Sequence, residues 1–302
     1  MFLCLQKAQT IDTVSQTPFL GYIHGQAEEI VYEMPGNSRY LSLLLWDLKP
    51  HFYAGLTLDF SPRNPFQNKG FLASGSIKLG LPNTTGLSQN FDWLGEGDDF
   101  THYSWHDVYT KRSLHADILF GYSWRLVDSL ALRIYGEFSF MHFSWEARDG
   151  FGEYPFGDMM FIGTVVEYMQ NWFILSPGIS IEYGLNDSIS IEGNISYSPL
   201  IFCIARDHHI HRDTVFYDYP GFGHSIKWGG SLTFSPDPNV NYTLSFNHRL
   251  ITGSRGNSYI DNVRYKDAGG AGLSAINLSI GARIFLRARI NPEEKSAELM
   301  QQ

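Results

Sequence analysis

The chain has 302 residues, of which 18% are charged and 15% are aromatic, and its formal net charge is −9. This length is ample for one folded domain, and the lack of a basic stripe argues against nucleic acid as a partner. No stretch approaches the roughly 18 consecutive apolar residues of a transmembrane helix, and two cysteines are too few for a disulfide framework.

The first segment in chain order, residues 1–17, begins with the apolar run 1–5. This run is too short for a complete signal peptide, and no basic residues precede it. We therefore interpret residues 1–17 as an N-terminal segment that is either the remnant of a signal peptide or a shortened start.

From residue 18 onward, apolar and polar residues alternate with a period of two. Ile276, Leu278 and Ile280 share one face of the last such segment, whereas Asn277 and Ser279 share the other. This pattern is typical of a half-buried β-strand. Ten segments show it: 18–34, 39–61, 69–92, 105–124, 129–147, 162–183, 188–207, 222–235, 240–255 and 272–289.

The connections between these segments alternate in length. Short turns rich in Pro, Asn, Asp and Gly occur at 61–65, 184–187 and 235–238. Long polar connections occur at 93–104, 148–161, 208–221 and 256–271. This alternation is typical of an up-and-down membrane barrel.

The segment lengths decide between two all-β architectures. Strands of soluble sandwiches average about five or six residues, and a bilayer is crossed by about 9–11. We predict one all-β domain at 18–289, a ten-stranded antiparallel up-and-down transmembrane β-barrel that extends above the membrane. A soluble β-sandwich or barrel is the alternative, and the charged tail at 290–302 is predicted to be disordered.

Two pairs of polar residues lie where long strands give way to polar connections. Asn90 and Asp92 end the third segment, and Asp207 and His209 lie at the end of the seventh. Residues two apart share one face of a strand, so a closed barrel could bring the pairs together across its mouth. A carboxylate orients an imidazole and raises its basicity, which suits a site that activates water. Either pair alone is more often a solvated loop.

Two further groups have a functional and an ordinary interpretation. Glu28 and Glu29 could line a pocket for a basic side chain, or they could form a solvated strand edge. His208, His209 and His211 suggest a metal, but neither cysteines nor a carboxylate cluster completes a set of ligands. We therefore expect no metal and no other cofactor.

Six short motifs occur in a fixed order among the predicted strands: 29–32, 92–93, 144–150, 207–209, 255–258 and 269–272. Together they resemble the omptin family of outer-membrane endopeptidases over about 18–286. The resemblance implies a peptide or protein substrate, a location in the outer membrane of a double-membraned bacterium, contact with its lipid, and a cleft that faces the exterior.

The resemblance also implies roles for single residues. Asp207 would orient His209 as the base, and Asp92 would be one member of an aspartate couple that holds the water. Asn90 stands where the other aspartate is expected. Glu29 would bind substrate in a pocket that in the family holds two acids, and Ala205 stands in place of the second acid.

Departures from the family pattern leave two other functions open. Family members bind lipopolysaccharide at positions that read Phe138, Phe140, His142 and Asn171 here, so dependence on lipopolysaccharide is not expected. A catalytically silent barrel that acts as an adhesin or ligand-binding protein is the main alternative. A small pore is the third, and it is disfavoured by the many large side chains that would face a narrow lumen.

Overall fold

The computed structural model describes residues 13–33, 39–61, 69–95, 97, 99–237 and 239–286. The predicted disordered tail and most of the predicted N-terminal segment lie outside these residues, and the domain limits 18 and 289 stay a prediction. Within the described ranges, no helix is long and apolar enough to cross a membrane.

Thirteen β-strands and one 3₁₀ turn make up nearly all of the described chain. The bounds are β1 (Thr13–Tyr32), β2 (Tyr40–Ser61), β3 (Gly70–Gly80), β4 (Asn83–Asp92), β5 (His102–Val127), β6 (Leu130–Glu153), β7 (Met159–Asn186), β8 (Ile189–Ser198), β9 (Leu200–His209), the 3₁₀ turn (Ile210–Arg212), β10 (Thr214–Gly221), β11 (His224–Asp237), β12 (Val240–Ile260) and β13 (Val263–Leu286). All pairings between neighbouring strands are antiparallel.

The thirteen strands close into a ring of ten. β3 and β4 are successive parts of the third strand of the ring, β8 and β9 of the seventh, and β10 and β11 of the eighth. β13 pairs with β1 and closes the ring. The prediction of an all-β, ten-stranded antiparallel barrel is therefore confirmed, and closure pairs the first strand of the described chain with the last.

Three of the four predicted long loops are largely strand instead. β6 continues to Glu153, β10 fills much of 208–221, and β12 and β13 pair as far as Ile260 and Val263. Glycines and charged residues interrupt the apolar alternation in these stretches, so the sequence resembles turns. Backbone hydrogen bonds between neighbouring strands do not depend on that composition, so the strand pairs continue to the end of each hairpin.

The outer surface divides into two levels. Toward the end with short turns, outward-facing side chains are large, apolar and exposed; they include Leu20, Phe52, Leu56, Ile77, Ile118, Phe120, Ile134, Phe138, Ile179, Ile181, Ile191, Ile195, Leu232, Leu244 and Ile280. We call these residues the apolar belt. Such a belt is typical of a barrel that crosses a bilayer. The opposite end, where the connections are long, is called the hairpin end. Ion pairs such as Lys111 with Glu146 and Glu167 lie on the surface toward this end.

The interior is filled rather than open. Trp46, Trp145 and Tyr168 stack on one another with ring centroids 5.1 to 6.0 Å apart, and Phe143 stacks on Trp145. We call these four side chains the aromatic floor. At the level of the apolar belt, Glu137 binds Arg249 and Lys227. These side chains occupy the lumen, which argues against an open pore.

Candidate active site

The candidate site lies at the hairpin end of the barrel, on the inner face. Asn90 pairs with buried Leu44 on β2 and with Ser104 on β5, and Leu44 pairs in turn with Glu29 on β1. Asp207 pairs with buried Tyr168 on β7. The third and seventh strands of a ten-strand ring are four positions apart, so their inner faces oppose each other across the lumen.

Asp207 and His209 form a closely bonded pair, which we call the dyad. His209 Nε2 lies 2.6 Å from Asp207 Oδ2, and only 3% of the Asp207 side chain is exposed. The ring of His209 also meets Phe216 edge to face, with centroids 5.4 Å apart. Burial of the carboxylate and contact with Phe216 hold the imidazole in one orientation.

The other ring nitrogen of His209 faces a cation. The 3₁₀ turn reverses the chain directly after the dyad, and Asp213 ends it in the left-handed conformation. This turn returns Arg212 toward His209, with Nη2 2.5 Å from Nδ1. A guanidinium can only donate, so Nδ1 accepts and Nε2 carries the proton toward Asp207.

Asn90 and Asp92 are joined to each other and to β2. Asn90 Nδ2 donates to Asp92 Oδ2 at 3.2 Å, and Ser42 Oγ donates to Asn90 Oδ1 at 3.0 Å. These bonds give Asn90 one amide orientation, with its nitrogen toward Asp92. An amide in this position can hold a water by hydrogen bonds, but it carries no charge and takes no proton.

Tyr154 links the two walls of the cleft. Its ring lies over Gly152, where an added Cβ would be 2.6 Å from Cε2 and 2.9 Å from the hydroxyl, so the phenol reaches the inner face. Burial raises the pKa of Tyr154, the negative charge of Asp92 raises it further, and Arg212 lowers it. Asp92 and Arg212 therefore lie within electrostatic range of one phenol.

Three buried carboxyl groups form what we call the acidic pocket: Glu29, Asp207 and Asp218. Their exposed fractions are only 2%, 2% and 3%. Burial raises the pKa of Glu29 well above its ordinary value, and the charges of Asp207 and Asp218 add to the effect. Glu29 Oε2 and Asp207 Oδ1 are buried without another partner, and one proton between the two groups satisfies both.

Asp218 occupies the place opposite Ala205. The two residues pair between β9 and β10, so the carboxyl group of Asp218 lies beside the methyl group of Ala205 on the same face. Burial raises the pKa of Asp218 to about 7, and the charge of Asp207 acts in the same direction. Glycine at 269 leaves room for this group, because a Cβ there would lie 2.6 Å from Asp218 Oδ1.

Comparison with known proteins identifies the family of this chain. The family model described as "Omptin family" matches residues 10–284. The chain belongs to the omptin family. Family and fold together support an outer-membrane protease that acts on peptides. A search of curated protein sequences returned no match.

The solved structure of one outer-membrane protease has the same fold as this chain. The outer-membrane protease OmpT from Escherichia coli superposes with a TM-score of 0.83 at 16% identity, covering 93% of this chain and 99% of OmpT. Ail, the attachment invasion locus protein of Yersinia pestis, reaches a TM-score of 0.30 at 11% identity over 90% of this chain and 99% of its own. The transport unit of the Escherichia coli autotransporter AIDA-I reaches 0.39 at 8% identity, covering 94% and 92%.

The five residues to which the resemblance assigns a role in the site, Asn90, Asp92, Asp207, His209 and Glu29, lie on the inner face of this omptin barrel. The structure adds Ser42, Tyr154, Arg212 and Asp218, which the sequence interpretation missed. Three of them fall in stretches interpreted as polar loops. The alternation 216–219, an aromatic residue followed by Tyr-Asp-Tyr, was a signal that could have identified β10 and its inward carboxylate.

The histidines beyond the dyad do not form a metal cluster in this omptin. Among the described residues, no group of three His, Cys, Asp or Glu side chains is arranged to hold a metal ion. His106 instead donates from Nδ1 to the carbonyl oxygen of Asp149 at 2.5 Å and meets Phe161 edge to face. Burial lowers its pKa, which favours a neutral, structural imidazole.

Proposed function

We propose that this omptin hydrolyses peptide bonds with a water activated by His209, without a covalent intermediate. The observation that carries the proposal is the 2.6 Å contact between His209 Nε2 and buried Asp207. Asp207 fixes the tautomer in which Nδ1 is the basic atom, and it stabilises the imidazolium that forms when Nδ1 takes a proton.

The proposed reaction has two steps, the addition of water and the cleavage of the carbon–nitrogen bond. His209 Nδ1 takes a proton from water while the oxygen adds to the carbonyl carbon of the substrate. The imidazolium then gives that proton to the amide nitrogen as the carbon–nitrogen bond breaks, which releases an amine and a carboxylic acid. Asp92 and Asn90 are proposed to hold the water, Asp92 by accepting a hydrogen bond and Asn90 through its amide.

The acidic pocket is proposed to bind a basic side chain next to the scissile bond. Glu29 and Asp218 are buried, and each has an oxygen without a hydrogen-bond partner. A lysine or arginine side chain would satisfy these oxygens and offset the charges of Asp207 and Asp218, which together with burial raise the pKa of Glu29. Asp218 would then supply the second acid that Ala205 lacks.

The site is proposed to face the exterior of the cell. The apolar belt lies toward the short turns, so the cleft stands clear of the bilayer at the opposite end. Intact cells that carry the protein should therefore cleave a membrane-impermeant peptide added outside. Cleavage that requires disruption of the cells would contradict this orientation.

The function is tested by exposing a mixed-sequence peptide library to the purified, refolded protein. We expect cleavage by the parent protein and none by His209→Ala, since the base is lost. His24→Ala is the matched control, because His24 is exposed on β1 away from the cleft, and it should cleave normally.

Two results of the library experiment would overturn the proposal. Undiminished cleavage by His209→Ala would exclude His209 as the base. A parent that cleaves nothing while ligands still adhere to its hairpins would favour the silent barrel, which the amide at Asn90 makes the second candidate.

A further inference from the structure

Arg212 is hydrogen-bonded to Nδ1 of His209, the atom that takes a proton from water in the proposed hydrolysis. Its Nη2 lies 2.5 Å from Nδ1 and 3.5 Å from Nε2, whereas Nε2 is bonded to Asp207. Both ring nitrogens are therefore engaged. A base whose only lone pair accepts a hydrogen bond from a guanidinium cannot at the same time take a proton from water.

The arrangement makes Arg212 and the reacting water competitors for one position. Arg212 lies on an exposed single turn, and among the residues that the structure describes its guanidinium is hydrogen-bonded only to His209. Rotation of its long side chain is enough to free Nδ1. The contact thus blocks the base in the free protein without any change in the barrel.

Arg212 also has no carboxylate partner in the described part of the chain, where every ion pair within 4.0 Å involves other residues. Its charge is met by a neutral imidazole at the rim of the cleft. A carboxylate accepts stronger, charge-assisted hydrogen bonds from a guanidinium, and it accepts two in parallel. An anionic group that enters the cleft would therefore draw Arg212 away from His209.

We propose that Arg212 is a specificity-determining residue, which blocks His209 in the free protein and is released by an acidic side chain of the peptide near the scissile bond. This inference rests on the proposed hydrolytic function. It adds that the preferred peptides carry a glutamate or aspartate on the other side of the cleaved bond from the basic residue, because this acid binds Arg212 and unblocks the base.

The block itself is tested without any turnover. Diethyl pyrocarbonate acylates unprotonated imidazole nitrogens, and mass spectrometry measures the rate at His209. We expect Arg212→Gln to react about tenfold faster than the parent, because Nδ1 is uncovered. Arg264→Gln removes an equal charge from an exposed arginine on the outer face, and it should match the parent. Equal rates in the parent and Arg212→Gln would overturn the inference.

The specificity is tested with two short peptides that differ only by glutamate or glutamine beside the scissile bond. Binding is measured with versions of these peptides in which the scissile bond is reduced, so that they cannot be cleaved. We expect the parent and Arg264→Gln to bind the glutamate peptide about tenfold more tightly than the glutamine peptide. Arg212→Gln should bind the two peptides equally. A preference that survives Arg212→Gln would overturn the inference.

Cleavage of the same peptides with an ordinary bond separates this inference from the proposed function. We expect Arg212→Gln to cleave the glutamine peptide faster than the parent does. If no protein cleaves either peptide, the proposed hydrolysis fails, and the binding and acylation results still decide whether Arg212 covers His209 and recognises acids.

Discussion

At the scale of single residues, Asn90 stands at a position where the resemblance to the family leads us to expect an aspartate. Ser42 and Asp92 hold its amide in one orientation, with hydrogen bonds of 3.0 and 3.2 Å. An aspartate there would keep the bond from Ser42 and add a second negative charge beside Asp92. The two carboxylates would share a proton and could accept one from water.

We predict that Asn90→Asp increases kcat. The gain should be about 10²-fold, the lower end of what one positioned acid–base group contributes. Steady-state kinetics on a library-derived peptide measure it, and Asn257→Asp, on the outer face near Arg264, controls for the added charge. An unchanged kcat in Asn90→Asp would mean that this position does not contact the reacting water.

In the proposed function, Asp218 makes the preference for a basic side chain depend on pH. Its pKa of about 7 follows from burial and from the charge of Asp207. The carboxyl group is neutral below this value and attracts a basic side chain only above it. Because the pKa is raised, ionisation also costs folding stability as pH rises from the unfolded value of 3.8 through the folded value.

We predict that the preference for lysine over methionine beside the scissile bond increases from about pH 6 to about pH 8. The ratio of kcat/KM for two matched peptides measures it. Asp218→Asn should lower the preference by about tenfold at the higher pH and abolish its rise. A rise that persists in Asp218→Asn would assign it to another group.

At the scale of elements, the aromatic floor joins strands that are distant in sequence. Trp46 lies on β2, Phe143 and Trp145 on β6, and Tyr168 on β7. Their stacked rings are fully buried, and they separate the acidic pocket from the ion pairs below. Packing of this kind holds the walls of the cleft at a fixed separation. The proposed reaction requires this, because the dyad and Asp92 act on the same water from opposite walls.

We predict that Phe143→Ala lowers the free energy of unfolding by about 3–5 kcal/mol, because it leaves a cavity beside Trp145. Phe222→Ala makes the same chemical change at a side chain that is 90% exposed, and it should cost less than about 0.5 kcal/mol. Denaturant titration in detergent measures both. Equal losses in the two variants would show that the floor does not stabilise the barrel.

At the scale of the whole molecule, the outer wall carries the four positions that the resemblance associates with lipopolysaccharide binding. Phe138 is exposed on the wall, and Phe140 meets Phe173 with centroids 5.2 Å apart. His142 is bonded to Asn171 at 2.8 Å. These four positions present rings and an amide rather than the fixed cations that bind phosphate.

We predict that activity does not require lipopolysaccharide. The purified, refolded protein should cleave its peptide in detergent at a rate that added lipopolysaccharide changes by less than about twofold, since phosphate groups meet no fixed cation at these positions. Dephosphorylated lipopolysaccharide is the control for a general lipid effect. A strong stimulation by the phosphorylated lipid alone would reveal a binding site elsewhere on the wall.

The alternation of apolar and polar residues was sufficient to predict the strands, and to place the side chains of five residues on one face or the other: Asn90, Asp92, Asp207, His209 and Glu29. Alternation is a local property, and residues two apart share a face in any sheet. The ten-strand count followed from the same pattern.

The other groups that contact these residues are set by strand pairing across the barrel, which the local pattern does not show. Asp218 meets Glu29 because ring closure brings β10 and β1 to the same end of the barrel, and Tyr154 enters the cleft because Gly152 leaves its place open. Arg212 reaches His209 through the shape of one turn. These contacts depend on pairing between strands far apart in the chain and on side-chain direction, neither of which a period of two encodes.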